Sequence, residues 1–125
     1  MPIRTTFSHA DRLATIVADG ILFSADISQA VQLIDDHGAR AYAKLVDIRR
    51  VTLCVAPAGD ETVAGLAAWR AAAGRSGAIA VVVGHNRVLE GIAQGFADEG
   101  SERQPIRIFR DEPSAHAWLE TAARP

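Results

Sequence analysis

Apolar and polar residues alternate along the chain in short blocks that favour strands and helices in turn. Period-2 or fully apolar runs predict strands at residues 4–7, 13–18, 43–48, 79–83 and 106–109. Apolar residues at helical spacing predict helices at residues 24–38, 60–73, 86–98 and 111–122. Strands that alternate with helices favour a parallel sheet with right-handed crossovers and helices on both faces, and the two opening strands add an antiparallel hairpin.

Turn and cap residues separate these blocks. Ser8-His9-Ala10-Asp11 suits the hairpin turn, and Gly20 is predicted to end the second strand. Ser24 and Asp26 offer N-cap chemistry to the first helix, and Gly38 supplies its C-terminal stop. The pattern therefore predicts where elements begin and end, but it does not fix the spatial order of the strands.

The segment Val51–Gly59, VTLCVAPAG, does not fit one structural class. Val51, Leu53 and Val55 alternate as in a strand, whereas Pro57 marks a loop close behind them. The segment is too apolar for a solvated loop. Three alternatives follow: it packs in the core as an edge strand, it covers a hydrophobic pocket, or it contacts another subunit.

The length and composition indicate one globular domain over residues 1–125. The chain is 49% hydrophobic and 22% charged, with a formal net charge of −2. No basic run or stripe is present, so a nucleic-acid partner is not predicted. The N-terminus has no apolar signal core, and the apolar run 78–83 is too short to span a bilayer. We therefore predict a soluble cytoplasmic protein with no integral membrane segment.

Metal and cofactor chemistry finds little support in the sequence. Cys54 is the only cysteine, so no intramolecular disulfide can form. The four histidines lie on different predicted elements at no metal-ligand spacing: His9, His37, His85 and His116. We predict no metal site and no cofactor.

Ligands of such sheets bind beyond the carboxyl ends of the parallel strands, and three segments reach that edge. They are Asp47-Ile48-Arg49, Gly84-His85-Asn86 and Arg110-Asp111. His85 is either a general base or anion contact, or an exposed turn residue beside the helix cap Asn86. Asp47 either has a functional role, in which it orients a ligand or receives a charge partner such as Arg49, or it accepts hydrogen bonds from the backbone amides of the next loop. Asp111 is predicted to cap the last helix.

Four segments carry a resemblance to a known family. The opening FSHADRLATIVADG, the strand KLVDIRRV, the strand AIAVVVG with its following helix, and the closing PIRIFRDEPSAHAWL resemble the SpoIIAA-like group. This group is related to STAS domains and is described alongside the SEC14 lipid-binding proteins. The resemblance implies an α/β fold with a mixed, mostly parallel five-stranded sheet, an N-terminal antiparallel hairpin and about four helices.

The resemblance also implies functions. STAS proteins bind protein partners, and some receive a phosphate in a turn before the helix that follows the central strand. Asp47 falls where the STAS pattern has an acid at the end of that strand. The corresponding turn here reads APAGDET, which has no serine and has Thr62 as its one hydroxyl, so the phosphoacceptor is left open with Thr62 as a candidate. A SEC14-like relationship implies a small apolar or lipid-like ligand.

We therefore rank three hypotheses. The first is a non-enzymatic binding or regulatory module that acts through protein contacts, including self-association as a homo-oligomer such as a dimer. The second is a carrier of a small apolar ligand, and the third is an enzyme that uses His85 with Asp47 or Arg49. The candidate contact surface is the Val51–Gly59 segment together with the adjoining predicted helix 61–73. The further contact candidates are Asp47, Arg49, Val51, Leu53, Val55, Gly84, His85 and Asn86.

Overall fold

Five strands and three helices make up the part of the chain that the structure, a computed structural model, describes: residues 3–55, 77–98 and 105–122. In chain order they are β1 (Ile3–Ser8), β2 (Leu13–Phe23), α1 (Ser24–Asp36), β3 (Ala43–Val55), β4 (Ile79–Val82), α2 (Arg87–Asp98), β5 (Ile106–Phe109) and α3 (Glu112–Ala122). The predicted helix 60–73 lies outside the described residues.

The five strands form one sheet in the order β1-β2-β3-β4-β5. β1 and β2 pair antiparallel as a hairpin, and the other three pairings are parallel. This arrangement confirms the mixed, mostly parallel sheet with an antiparallel hairpin. The spatial order, which the sequence left open, follows the order of the strands along the chain.

Helices cover both faces of the sheet, and β4 shows why. Successive strand residues point to opposite faces, so a strand buried on both sides must be apolar throughout, as β4 is. Ile79 and Val81 pack with Leu89 and Ala93 of α2 on one face. On the opposite face Ala80 and Val82 pack with α3, through Ala115 and Leu119.

Two of the predicted strand boundaries are wrong. β2 does not end at Gly20 but continues to Phe23, with Gly20 held inside the strand at φ +73°. β3 does not end at residue 48 but continues to Val55, so the first five residues of the ambiguous segment are strand. The remaining residues of that segment, 56–59, lie outside the described residues.

The caps of α1 follow the prediction only in part. The N-cap residue is Phe23, whose backbone N–H donates to the Asp26 carboxylate at 2.9 Å, while Ser24 is already the first helical residue. Asp26 therefore caps the helix from within its first turn, where an acid also favours the helix dipole. Gly38 has φ +64° and its N–H donates to the Asp35 carbonyl, which confirms the predicted stop.

Lys44 is a buried amine that fixes the entry into β3. Its side chain is only 2% exposed, and Nζ donates to the carbonyl oxygens of Arg40 at 2.6 Å and Tyr42 at 2.9 Å. Its backbone N–H donates to the carbonyl of Ala78, the residue just before β4. Burial, reinforced by the charge of Arg40, lowers the pKa of Lys44 to about 8.

This lowered pKa makes the stability of the fold depend on alkaline pH. Between about pH 8 and pH 10.5 the unfolded chain keeps the Lys44 proton that the folded chain releases, so the free energy of unfolding rises with pH. The rise attributable to Lys44 is roughly 3 kcal/mol, at about 1.4 kcal/mol for each unit of pKa difference. Urea unfolding at several pH values should show this rise in the natural chain and not in Lys44→Met. An equal rise in both proteins would contradict it.

Candidate functional site

Asp47 lies inside β3 but level with the carboxyl ends of the two neighbouring strands. It pairs with Val82, the last residue of β4, and Val82 pairs with Phe109, the last residue of β5. β2 and β3 continue past this level as a two-stranded extension. We call residues 19–23 of β2 and 50–55 of β3 the ribbon.

A short ion-pair network forms at the base of the ribbon. The Arg49 guanidinium donates twice to the Asp47 carboxylate, from Nε to Oδ1 at 3.0 Å and from Nη2 to Oδ2 at 2.7 Å. The Arg49 backbone N–H also donates to Oδ1 at 3.0 Å. Asp47 is therefore both the charge partner of Arg49 and an acceptor for its backbone N–H.

The network extends to the start of α3 through Glu112. Nη2 of Arg49 lies 3.7 Å from Oε2 of Glu112, and Nε2 of His116 lies 3.6 Å from Oε1 of the same carboxylate. The hydrogen bond from Arg49 lowers the pKa of Asp47, and the carboxylate of Asp47 raises the pKa of Arg49. Both groups are therefore held in their charged forms over a wide pH range.

Gly84 gives the Arg49 side chain room to lie across the end of β4. Its φ of +66° favours glycine, and a Cβ at this position would lie 3.3 Å from Cγ of Arg49. The glycine that follows the apolar strand β4 thus serves the turn and the close approach of Arg49. This arrangement brings Asp47, Arg49 and Gly84 together, as their predicted position at one sheet edge requires.

The two helix starts at this edge are capped by their own side chains. Oδ1 of Asn86 accepts the backbone N–H groups of Val88 at 3.0 Å and Leu89 at 3.1 Å, which confirms the predicted cap of α2. Oδ1 of Asp111 accepts the backbone N–H of Ser114 at 2.8 Å, which confirms the cap of α3. The hydrogen bonds from Ser114 also lower the pKa of Asp111. The orphan amides that bind anions at helix N-termini are thus partly occupied.

His85 is exposed at the same turn. Within the described ranges it makes no hydrogen bond or ion pair, and the contacts of Asp47 are to Arg49 and not to His85. A general base needs an oriented partner within hydrogen-bond reach. Among the described residues, His85 therefore has the geometry of an exposed turn residue.

The ribbon exposes large apolar side chains on one face. Ile21 is 48% exposed, Phe23 is 50% exposed and Leu53 is 54% exposed, whereas Val51 is 3% exposed and packs in the core. Ile21 pairs with Leu53 across the two strands, and Phe23 pairs with Val55 through the backbone. Of the predicted contact candidates on β3, Val51 is thus buried and Leu53 is exposed.

Two β-bulges cause this split. Asp19 pairs with Arg50 although Val17 pairs with Asp47, so β3 has one extra residue over this step. A second extra residue, Thr52, follows between the pairs of Gly20 with Val51 and Ile21 with Leu53. Each extra residue shifts the side-chain alternation of β3 against β2. As a result, Arg49 and Arg50 are both exposed before the buried Val51, and Thr52 and Leu53 are both exposed after it.

Sequence reasoning missed four residues of this region. They are Asp19, Ile21, Phe23 and Glu112. The alternation of D-G-I-L-F over residues 19–23 was an available strand signal, since Leu22 is buried between the exposed Ile21 and Phe23. Glu112 falls at the predicted start of the last helix, and its contact with Arg49 depends on tertiary structure.

Among the described residues no group of three or more histidine, cysteine, aspartate or glutamate side chains could hold a metal ion. None of the three described helices has the length and apolar character needed to cross a membrane. Thr62 and the predicted contact helix 61–73 lie outside the described part of the chain.

Comparisons with solved structures identify the fold. The chain is similar to an uncharacterised protein of the DUF3478 family with a SpoIIAA-like fold from Shewanella loihica PV-4, with a TM-score of 0.66 and 18% identity over 94% of this chain and 91% of that one. It is also similar to the anti-sigma factor antagonist SpoIIAA in its unphosphorylated form, with a TM-score of 0.56 and 16% identity over 94% of this chain and 97% of that one. Neither protein-family models nor curated proteins give a match. The chain has a SpoIIAA-like fold, which confirms the resemblance at the level of structure.

Replacing Asp47 tests the ion-pair network. Asp47→Asn keeps an acceptor for the Arg49 backbone but removes the charge, so the free energy of unfolding should fall by about 1–2 kcal/mol at neutral pH, the lower value reflecting the exposure of Arg49. Because the folded state lowers the pKa of Asp47, its stabilisation is complete above the ordinary value of 3.8 and is lost as the pH falls through the folded-state value.

Denaturant unfolding across the acid range measures this effect. The stabilities of the natural chain and the variant should converge as the pH falls below about 4, whereas the exposed-acid control Glu120→Gln should differ little from the natural chain at neutral pH. A difference for Asp47→Asn that stays constant through the acid range would contradict the assignment.

Proposed function

We propose that this chain is a non-enzymatic binding or regulatory module that acts through protein contacts, and that the exposed face of the ribbon forms part of its contact surface. The observation that carries the proposal is the cluster of Ile21, Phe23 and Leu53, three large apolar side chains about half exposed on one sheet face. A contiguous apolar patch rimmed by charged residues is typical of a protein-binding surface.

The fold supports the same proposal. One similar structure is an anti-sigma factor antagonist, and we extend to this chain only the general idea of a regulatory binding module. The patch lies beside the carboxyl edge of the sheet, the edge at which open α/β sheets present their sites. The contact candidates Asp47, Arg49 and Gly84 lie at the base of the ribbon, where hydrogen bonds and close packing hold the Arg49 side chain in place.

The energy available from the patch suits a moderate-affinity contact. Full burial of a large apolar side chain contributes about 1.5–3 kcal/mol, so covering the exposed half of each of the three should contribute roughly 1 kcal/mol per residue. The polar rim would add orientation more than affinity. No observation in the described residues specifically favours the apolar-ligand carrier or the His85 enzyme.

Replacing Leu53 tests the contact surface. Tagged natural chain should retain at least one protein from an extract of its source cells, either another copy of itself or a different protein. With Leu53→Asp as the tagged chain, the amount of that retained protein should fall at least tenfold. A buried charge in an apolar contact is the physical reason for the loss. Affinity measured with the purified pair then gives the same ratio directly.

Val88→Asp is the matched control. Val88 is also an exposed apolar residue, but it lies on α2, which packs on the opposite face of the sheet. This variant should retain the same protein as the natural chain, and circular dichroism should show all three chains folded. Equal retention by the natural chain and Leu53→Asp would contradict the proposal.

A further inference from the structure

We infer that the ribbon face binds a second copy of this chain, with the two faces packed around a two-fold axis parallel to the ribbon strands. This inference rests on the proposed function, because it names the partner of the same surface. It is carried by the pairing register of β2 with β3 and by the charges at the edge of the apolar patch.

The register pairs an apolar residue with an apolar residue at one position and an acidic residue with a basic one at another. Ile21 pairs with Leu53, and two residues earlier on β2, Asp19 pairs with Arg50. All four residues are exposed. The bulge between Val17 and Asp19 produces this arrangement, since without the extra residue in β3 Asp19 would pair with Arg49.

Symmetry converts these cross-strand pairs into contacts between copies. In a two-fold interface, if residue i contacts residue j of the partner, residue j also contacts residue i. An axis that runs between β2 and β3 places the β2 of one copy over the β3 of the other. Asp19 then faces Arg50 of the second copy, and Ile21 faces its Leu53, each contact occurring twice.

The charges on the face favour a second copy over a partner of one sign. Within the described ranges neither Asp19 nor Arg50 forms an ion pair, whereas Arg49 is already bound to Asp47 and close to Glu112. An acidic partner would meet Asp19 unfavourably, and a basic partner would meet Arg50 unfavourably. A second copy offers the opposite charge at both positions.

The described helices leave this face open. α3 contacts β3, β4 and β5, and it begins beside Arg49 at the base of the ribbon. α1 and α2 contribute Ile27, Leu89 and Ala93 to the apolar cluster on the other side of the sheet, where Val51 and Leu22 are buried. Sheet faces packed against each other lie about 10 Å apart, a spacing that apolar side chains of this size fill.

Charge reversal distinguishes this symmetric contact from any other. Sedimentation equilibrium should show the natural chain as a monomer–dimer system, and Asp19→Arg or Arg50→Asp alone should weaken the dimer at least tenfold by placing like charges together. A mixture of the two single variants should form a heterodimer as tight as the natural dimer, within about threefold, because both cross-copy pairs are then restored. The double variant carrying both reversals should self-associate like the natural chain.

Controls separate the possible failures. Glu120→Arg makes the same change of charge as Asp19→Arg at an exposed site on α3, and it should leave the dimer unchanged. Single reversals without effect, or a mixture that stays monomeric, would overturn the symmetric pairing. A natural chain that is monomeric at several hundred micromolar would overturn self-association. If that monomer still binds a different protein in a Leu53-dependent manner, the proposed function stands and only the identity of the partner is wrong.

Discussion

The pairing of β2 with β3 is the contact on which the rest of this molecule depends. Both strands are long, with 11 and 13 residues, and they are the only pair in the described residues that continues beyond the carboxyl edge of the sheet. The part of these strands before the carboxyl edge packs in the apolar clusters with the helices, through Ala18, Leu45 and Val46. The part beyond this edge is the ribbon, whose two bulges determine which side chains face solvent.

Polar contacts at the base of the ribbon link it to the rest of the fold. Arg49 joins the central strand to the start of α3 by contacting Asp47 and Glu112, and Gly84 provides the space that its side chain needs. Because Asn86 and Asp111 use their side chains to cap helices, the carboxyl edge satisfies much of its own hydrogen-bonding capacity. These contacts position the edge beside the apolar face, which is the contact surface that we propose.

The sequence predicted those features that depend on local chemistry. β4 could be predicted because a strand buried on both faces is continuously apolar, and the caps Asn86 and Asp111 because side-chain capping acts within three residues. The pairing of Asp47 with Arg49 could also be anticipated, since they are two positions apart on one strand. The contact of Arg49 with Glu112 could not, because it depends on how β5 and α3 are placed against β3.

The bulges explain why Val51 and Leu53 lie on opposite faces of the sheet. Strict alternation would place Val51 and Leu53 on the same face, whereas the extra residues in β3 bury Val51 and expose Leu53. Gly20 suggested a strand end because glycine usually weakens strands, yet it occupies a left-handed position between the two register shifts. Bulges depend on pairing between strands distant in sequence, and no local pattern records them.

Methyl NMR over a concentration series tests the central claim most directly, since it reports both the orientation of these side chains and their contact with another copy. The account predicts that the Ile21 and Leu53 methyl signals shift with increasing protein concentration, while the signals of the buried Val51 and Val83 stay in place. Unchanged Ile21 and Leu53 signals up to several hundred micromolar, or shifts confined to residues outside the ribbon, would contradict it.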